Sequence, residues 1–181
     1  GKIAHTLSAL ESDKTPLQKR LDGLGKTITF MVIAIVLSLI LIGILQEAIG
    51  IERAILSTVH GYTASQSLVD APSKKDLREG RAAAVNIVPS STGAAIATTL
   101  AYTSLAGKFD GIALRVPVPA GSIVDVTFVA SRPTTVLEVN NALTEAAKDP
   151  RWAAVFGVTN EPLVSTDIIG TLYGSIADLA L

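Results

Sequence analysis

Between Lys26 and Glu47 the chain runs for 20 residues, TITFMVIAIVLSLILIGILQ, without a charge. No other feature limits the accessible folds so strongly. As a helix, residues 27–45 would span roughly 28 Å, close to the hydrocarbon thickness of a bilayer. The run is apolar on every helical face, so it needs lipid or protein on all sides. The expectation is a transmembrane helix over residues 27–45. The competing readings are a fully buried helix, packed on a sheet in the protein interior, or a pair of buried strands rich in Ile and Val. The run starts too deep in the chain, and is too long, for a secretory signal. Lys14, Lys19, Arg20 and Lys26 outnumber Glu11, Asp13 and Asp22 upstream, which would hold the N-terminal side in the cytoplasm.

The other bounds come from composition. A chain of 181 residues suits one domain with a short appendage. A formal charge of −1 offers no electrostatic footprint for nucleic acid, and none is expected as a partner. The absence of cysteine excludes disulfides, thiolate metal sites and a thiol nucleophile from this chain, and no metal site is expected.

Two regions follow from the texture: residues 1–49, a polar helix and then the apolar helix, and residues 50–181, an α+β domain. In the first, Thr15-Pro16-Leu17-Gln18 is a helix start, with Leu17, Leu21 and Leu24 on one face. In the second, Ala54–Val59 reads as a strand and residues 61–80 as a long polar loop. A small-residue helix is expected over Thr92–Leu105, opening at Gly93. Ile112–Val118 and Ile123–Ala130 read as strands joined by Pro119-Ala120-Gly121-Ser122. Thr135 and Glu138 form a capping box for a helix over Thr135–Lys148, whose apolar face is Val136, Val139, Leu143 and Ala146. Short strands are expected at Ala153–Val158 and Leu163–Ile169. Without strict βαβ alternation, the fold expected is a mostly antiparallel sheet with helices on one face.

Several residues could do chemistry. His60 ends a strand and precedes Tyr62, Thr63, Ser65 and Gln66, a setting for a general acid or base, or for a structural histidine. Ser90-Ser91-Thr92-Gly93, at a helix start, could cradle an anion or simply cap the helix. Arg115 lies inside the apolar strand LRVPV, where an unpaired guanidinium is costly. It needs an acidic partner, for which Asp125 on the neighbouring strand is available, or an anionic ligand. Local reading leaves both open.

These same residues carry a resemblance. STVHGYTASQSLVD, RAAAVNIVPSSTGAA, GKFDGIALRVPVP and EPLVSTDIIG, in that order, make residues 50–181 similar to the catalytic domain of phosphorylating glyceraldehyde-3-phosphate dehydrogenase. The resemblance implies that His60 is the base that moves protons. It implies that Thr63 and Arg115 hold the C3 phosphate of a phosphorylated triose, and that Thr92 and Gly93 hold inorganic phosphate. It also implies a homo-oligomer, a cytoplasmic setting and NAD as the family's cofactor. The family's nucleophilic cysteine would fall near Ile33, inside the apolar run, and no G-x-G-x-x-G follows a strand. No cofactor is therefore expected on this chain, and no dehydrogenase turnover. Residues 1–45, through GKIAHTL and KTPLQKRLDGLGK, resemble the region around the third transmembrane helix of P-type cation-transporting ATPases, especially calcium pumps. That resemblance implies a membrane partner through residues 27–45. The sequence thus reads as a chimera whose halves imply a membrane and the cytoplasm respectively.

Overall fold

The computed structural model describes residues 38–73 and 76–180. The helix expected from Pro16, the motifs similar to cation pumps and residues 27–37 of the expected membrane span lie outside the described residues.

The described part of the apolar run, residues 38–46, lies in a helix over residues 38–48 (α1). Ser38, Ile40, Ile42, Gly43, Ile44 and Leu45 are all buried, and the surface begins at Glu47 and Ala48. A segment apolar on every face has here found protein on its faces. Gly43 lies against the Tyr102 hydroxyl so closely that any side chain at 43 would collide with it. The helix ends where its sequence permits. Gly50 adopts φ +80°, a conformation natural to glycine, and donates to the Leu45 carbonyl at 3.1 Å. The Gln46 side chain accepts the Ile51 N–H at 3.0 Å, and Arg132 donates to the Ala48 carbonyl at 3.2 Å. Among the described residues, no helix is long and apolar enough to cross a membrane.

The strands are β1 (Ile51–Gly61), β2 (Val88–Ser91), β3 (Phe109–Val116) and β4 (Ser122–Ala130), in the order β2-β3-β1-β4. The pair β1–β3 is parallel, whereas β1–β4 and β2–β3 are antiparallel. A second sheet of two parallel strands joins β5 (Phe156–Thr159) to β6 (Ser175–Asp178). The sheet is therefore mixed and not mostly antiparallel as expected. The parallel step requires a long crossover, and residues 62–108 supply it. β3 stops before Pro117, which has no N–H to give, and Val118 donates to the Val116 carbonyl at 2.8 Å around it.

The helices α2 (Gly93–Ala101) and α3 (Val136–Ala146) are shorter than their expected spans. The first gives way to a 3-10 turn at Thr103–Leu105. Thr135 caps α3 by accepting the Glu138 N–H at 3.2 Å, while the Glu138 carboxylate turns to Arg132 and Thr134. Only half of the expected capping box forms, and Val136 is 77% exposed. Residues 163–169 form turns and not a strand. Asp167 accepts the Val164 N–H at 2.8 Å and returns its own N–H to Val164 at 3.0 Å, and such local bonding competes with a sheet ladder.

All three helices meet one face of the sheet. Ile42 of α1, Ala94 and Ala95 of α2 and Leu143 of α3 join Leu56, Phe109 and Phe156 in a single core. On the other face Ile55, Ile112 and Ile123 remain about half exposed or more. This asymmetry is testable. Ile42→Ala, at a fully buried position, is expected to cost about 2–5 kcal/mol in urea unfolding. Ile55→Ala is expected to cost less than about 1 kcal/mol, a fraction of the roughly 1.5–3 kcal/mol for burying such a side chain outright. Equal costs would contradict α1 as core.

Candidate functional site

β1 alternates. Leu56, Thr58 and His60 point to the helix-covered face, and Ile55, Ser57 and Val59 to the other. The parallel register sets Thr58 opposite Ala113 and His60 opposite Arg115, so imidazole and guanidinium stand on the same face at the C-terminal ends of adjacent parallel strands. Crevices outside such strand ends are where open α/β sheets bind ligands. Both side chains reach the same atom. His60 Nδ1 lies 2.6 Å from the Gly61 carbonyl oxygen, and Arg115 Nη1 donates to that oxygen at 3.5 Å. A carbonyl can only accept, so Nδ1 carries the proton and Nε2 keeps its lone pair.

Gly61 is needed at this node. A Cβ there would sit 2.6 Å from the Val118 carbonyl oxygen, and the Gly61 N–H donates to Gly121 at 3.1 Å. Two residues on, Thr63 opens a tight turn. Gln66 accepts the Thr63 N–H on its side-chain oxygen at 3.3 Å and donates its own backbone N–H to the Thr63 carbonyl at 2.9 Å. The Thr63 hydroxyl pairs with that of Ser65 at 3.1 Å.

Thr92 and Gly93 form a second station. Thr92 caps α2, its hydroxyl accepting the Ala94 N–H at 3.1 Å, and its methyl packs beside Gly111 on β3. A Cβ at Gly93 would meet nothing within 4 Å, so this helix start is open. The register pairs Ser91 with Ile112. Arg115 is three residues further along β3, on the order of 10 Å at strand rise. His60, Thr63 and Arg115 are thus brought to one end of the sheet, and Thr92 and Gly93 stand apart from them.

Asp125 is not the partner of Arg115. β3 and β4 flank β1 on opposite sides, and Asp125 faces Ser57 in register, on the face opposite to Arg115. Arg115 makes no salt bridge among the described residues. Burial lowers its pKa, while the Glu79 carboxylate, on the short 3-10 helix Leu77–Gly80, raises it. His60 is also held below the ordinary histidine value. Burial is the main cause, the Gly61 carbonyl opposes it, and the Arg115 charge adds to it. The cluster therefore joins a neutral imidazole to a cation that has no counter-charge in contact. Sequence reading missed Gly61 and Glu79: a backbone carbonyl leaves no signature in side-chain patterns, and Glu79 is remote until the crossover folds. Among the described residues, no group of three or more His, Asp or Glu could hold a metal ion.

The depressed His60 pKa has a signed consequence. The unfolded chain takes up this proton at higher pH than the folded one, so the stability linked to His60 is whole above about pH 6.5 and is lost as pH falls through the folded value. Urea midpoints are expected to fall from pH 8 to pH 5.5, and His60→Gln is expected to flatten part of that slope. An unchanged slope in the variant would remove His60 as its source.

Comparison with known proteins places the described fold among relatives. The profile of the family described as glyceraldehyde 3-phosphate dehydrogenase, C-terminal domain, matches residues 38–181. The glyceraldehyde-3-phosphate dehydrogenase of Clostridium acetobutylicum is 46% identical over 139 residues, which is 76% of this chain and 40% of that protein. Glyceraldehyde-3-phosphate dehydrogenase 1 of Streptomyces arenae is 50% identical over 131 residues, 72% of this chain and 39% of that protein. The Borreliella burgdorferi dehydrogenase is 45% identical over 136 residues, 75% of this chain and 40% of its own length. The chain thus spans about two fifths of the length of these relatives.

Proposed function

The chain belongs to the glyceraldehyde-3-phosphate dehydrogenase family, through that family's C-terminal domain, and from this membership we propose that it binds phosphate groups without itself completing the dehydrogenase reaction. The observation that carries the reading is the convergence of His60 and Arg115 on the Gly61 carbonyl, beside the turn that begins at Thr63. An unpaired guanidinium in a half-buried setting attracts an anion strongly, because the surrounding low dielectric screens it poorly. In this reading Arg115 and Thr63 take the phosphate of a phosphorylated triose, and Thr92 with Gly93 takes inorganic phosphate at the start of α2. His60, with Nε2 unprotonated, is the group able to accept a proton from a bound substrate.

Covalent catalysis of the family kind needs a thiolate, and this chain has no cysteine. Its own residues therefore bind and orient phosphates and do not form a thiohemiacetal. The described residues also do not fit NAD. The helix start at Gly93 follows β2, a strand antiparallel to its neighbour and carrying one glycine at the turn, whereas a dinucleotide pyrophosphate needs a glycine-rich turn leaving a parallel strand. The same reading carries a cytoplasmic setting and self-association. The exposed isoleucines at 55, 112 and 123 on the uncovered face, set among Asp110 and Asp125, support association, since a second copy would cover them.

Thermal unfolding with and without millimolar glycerol 3-phosphate, at constant ionic strength and with saturating inorganic phosphate in both arms, tests the proposal. The midpoint is expected to rise with glycerol 3-phosphate in the parent chain, and Arg115→Ala is expected to abolish that rise whatever its own midpoint. A glycerol 3-phosphate response that survives in Arg115→Ala would overturn the assignment.

A further inference from the structure

His60 Nδ1 and Arg115 Nη1 lie 2.6 and 3.5 Å from one and the same atom, the Gly61 carbonyl oxygen. Two nitrogens that share an acceptor at these distances are at most about 6 Å apart, whatever the angle between them. The guanidinium is always a cation. The imidazole has Nδ1 committed to the carbonyl, so a further proton can enter the ring only at Nε2. Nε2 makes no hydrogen bond among the described residues. The sealed side-chain atoms without a partner belong to Thr58, Gln66 and Thr98, and Nε2 is not one of them, so protons reach it from solvent.

Among the described residues, the other charges stand away from the imidazole. Its partner on β4 is Ser122, and Asp125 of that strand lies on the opposite face. β2 carries no ionisable side chain. On β1 itself, Glu52 and Arg53 sit at the far end, and on α1 Glu47 lies at the C-terminal end, paired with Arg151. In the crossover Asp70 pairs with Arg81, and Glu79 acts on Arg115 and not on His60. Burial lowers the proton affinity of the imidazole, and the guanidinium lowers it further against the pull of the Gly61 carbonyl. Of these, only the neighbouring charge is one that an anion can cancel. At about 6 Å a unit charge moves such an equilibrium by roughly three- to a hundredfold, according to how far water screens it.

We propose that His60 and Arg115 form a proton-coupled dianion site: an anion that settles on the guanidinium is bound together with a solvent proton at His60 Nε2, so the site selects doubly charged anions and holds them more tightly as the medium turns acidic. This rests on the anion-binding reading above and adds to it a charge selection and a pH control. With a neutral imidazole the pair carries one positive charge and matches a monoanion. With Nε2 protonated it carries two on one face of the sheet and matches a dianion. The coupling is reciprocal, so the factor by which the anion raises proton affinity is the factor by which the proton raises anion affinity.

The test follows the imidazole proton signals of the full chain by NMR. The sequence holds two histidines, His5 and His60. His60→Gln identifies the signal that is lost, and His5→Gln makes the same assignment from the other side, so the parent titrations stand even if His60→Gln does not fold. Sulfate is the probe, since it stays a dianion from pH 8 to pH 5.5, whereas a phosphate monoester takes up its own second proton near pH 6. Nitrate is the monoanion control at equal ionic strength. With saturating sulfate the His60 titration midpoint is expected to rise by at least about half a pH unit. Sulfate affinity is expected to increase at least about threefold from pH 8 to pH 5.5, and to lose that dependence in His60→Gln. A merely structural histidine would keep its midpoint when sulfate binds, and that result overturns the proposal. A rise that nitrate reproduces is ordinary screening and overturns it equally. If neither His60 nor the backbone amides around Thr63 respond to sulfate in a saturable way, the anion-binding reading itself falls. Amides that saturate while the His60 midpoint stays fixed leave that reading standing and remove the proton coupling alone.

Discussion

β1 is the interior strand on which both β3 and β4 are registered, and its hydrogen-bonded register is the constraint on which the other features depend. Side chains alternate along it, so a slip of one residue would send Leu56, Thr58 and His60 to the open face and bring Ile55 and Val59 inward. The register with β3 sets His60 beside Arg115, and the register with β4 sends Asp125 to the opposite face. The guanidinium is left without a carboxylate in contact because of how the strands are ordered, not because acidic residues are scarce nearby. Two side chains then share the Gly61 carbonyl, and only glycine is tolerated at 61 because the turn through Val118 and Ala120 presses against it.

The helix-covered face makes this arrangement electrostatically effective. α1 contributes a group of apolar side chains buried on several sides, with Gly43 giving Tyr102 the space to approach. α2 and α3 complete the cover. The same removal of water that stabilises the core holds His60 below its ordinary pKa and leaves Arg115 half-desolvated. Packing and chemistry are therefore coupled. A weaker core under the sheet would also admit water to the guanidinium and dilute its pull on an anion.

Much of this was legible in the sequence where the physics is local. The β-branched run Ala54–Val59 gives the strand that ends at His60, and the hydroxyls of Thr92 and Thr135 mark two helix starts that exist as expected. The resemblance carried by residues 50–181 pointed to the family that the whole described chain matches. What failed was non-local. Nothing in the pattern of β1 or β3 reports that they pair in parallel or that β1 lies between β3 and β4, so local reading expects a mostly antiparallel sheet and leaves Asp125 available as one of two candidate partners of Arg115. Ser165, Thr166 and Asp167 were read as part of a strand because their apolar flanks dominate the window, yet their own hydrogen bonds close a turn. The weakly patterned SIAD segment became β6 instead. The apolar run was ambiguous for a deeper reason. A helix apolar on all faces has the same sequence signature whether lipid or protein surrounds it, and only the packing of residues 38–45 distinguishes the two.

The parallel pairing also has a consequence in time. His60 and Arg115 are 55 positions apart in the chain, and no hairpin can zip them together from a nearby turn. During synthesis β1 must wait, its edges uncovered, until the whole crossover and then β3 have emerged, and β3 and β4, though joined by a short turn, do not pair with each other but settle on opposite edges of β1. Contacts of such long sequence separation are entropically the last to be rewarded and set the pace of folding. The two basic groups are therefore neighbours only after the slowest closure in the sheet, and the unfolded or half-folded chain carries no anion site.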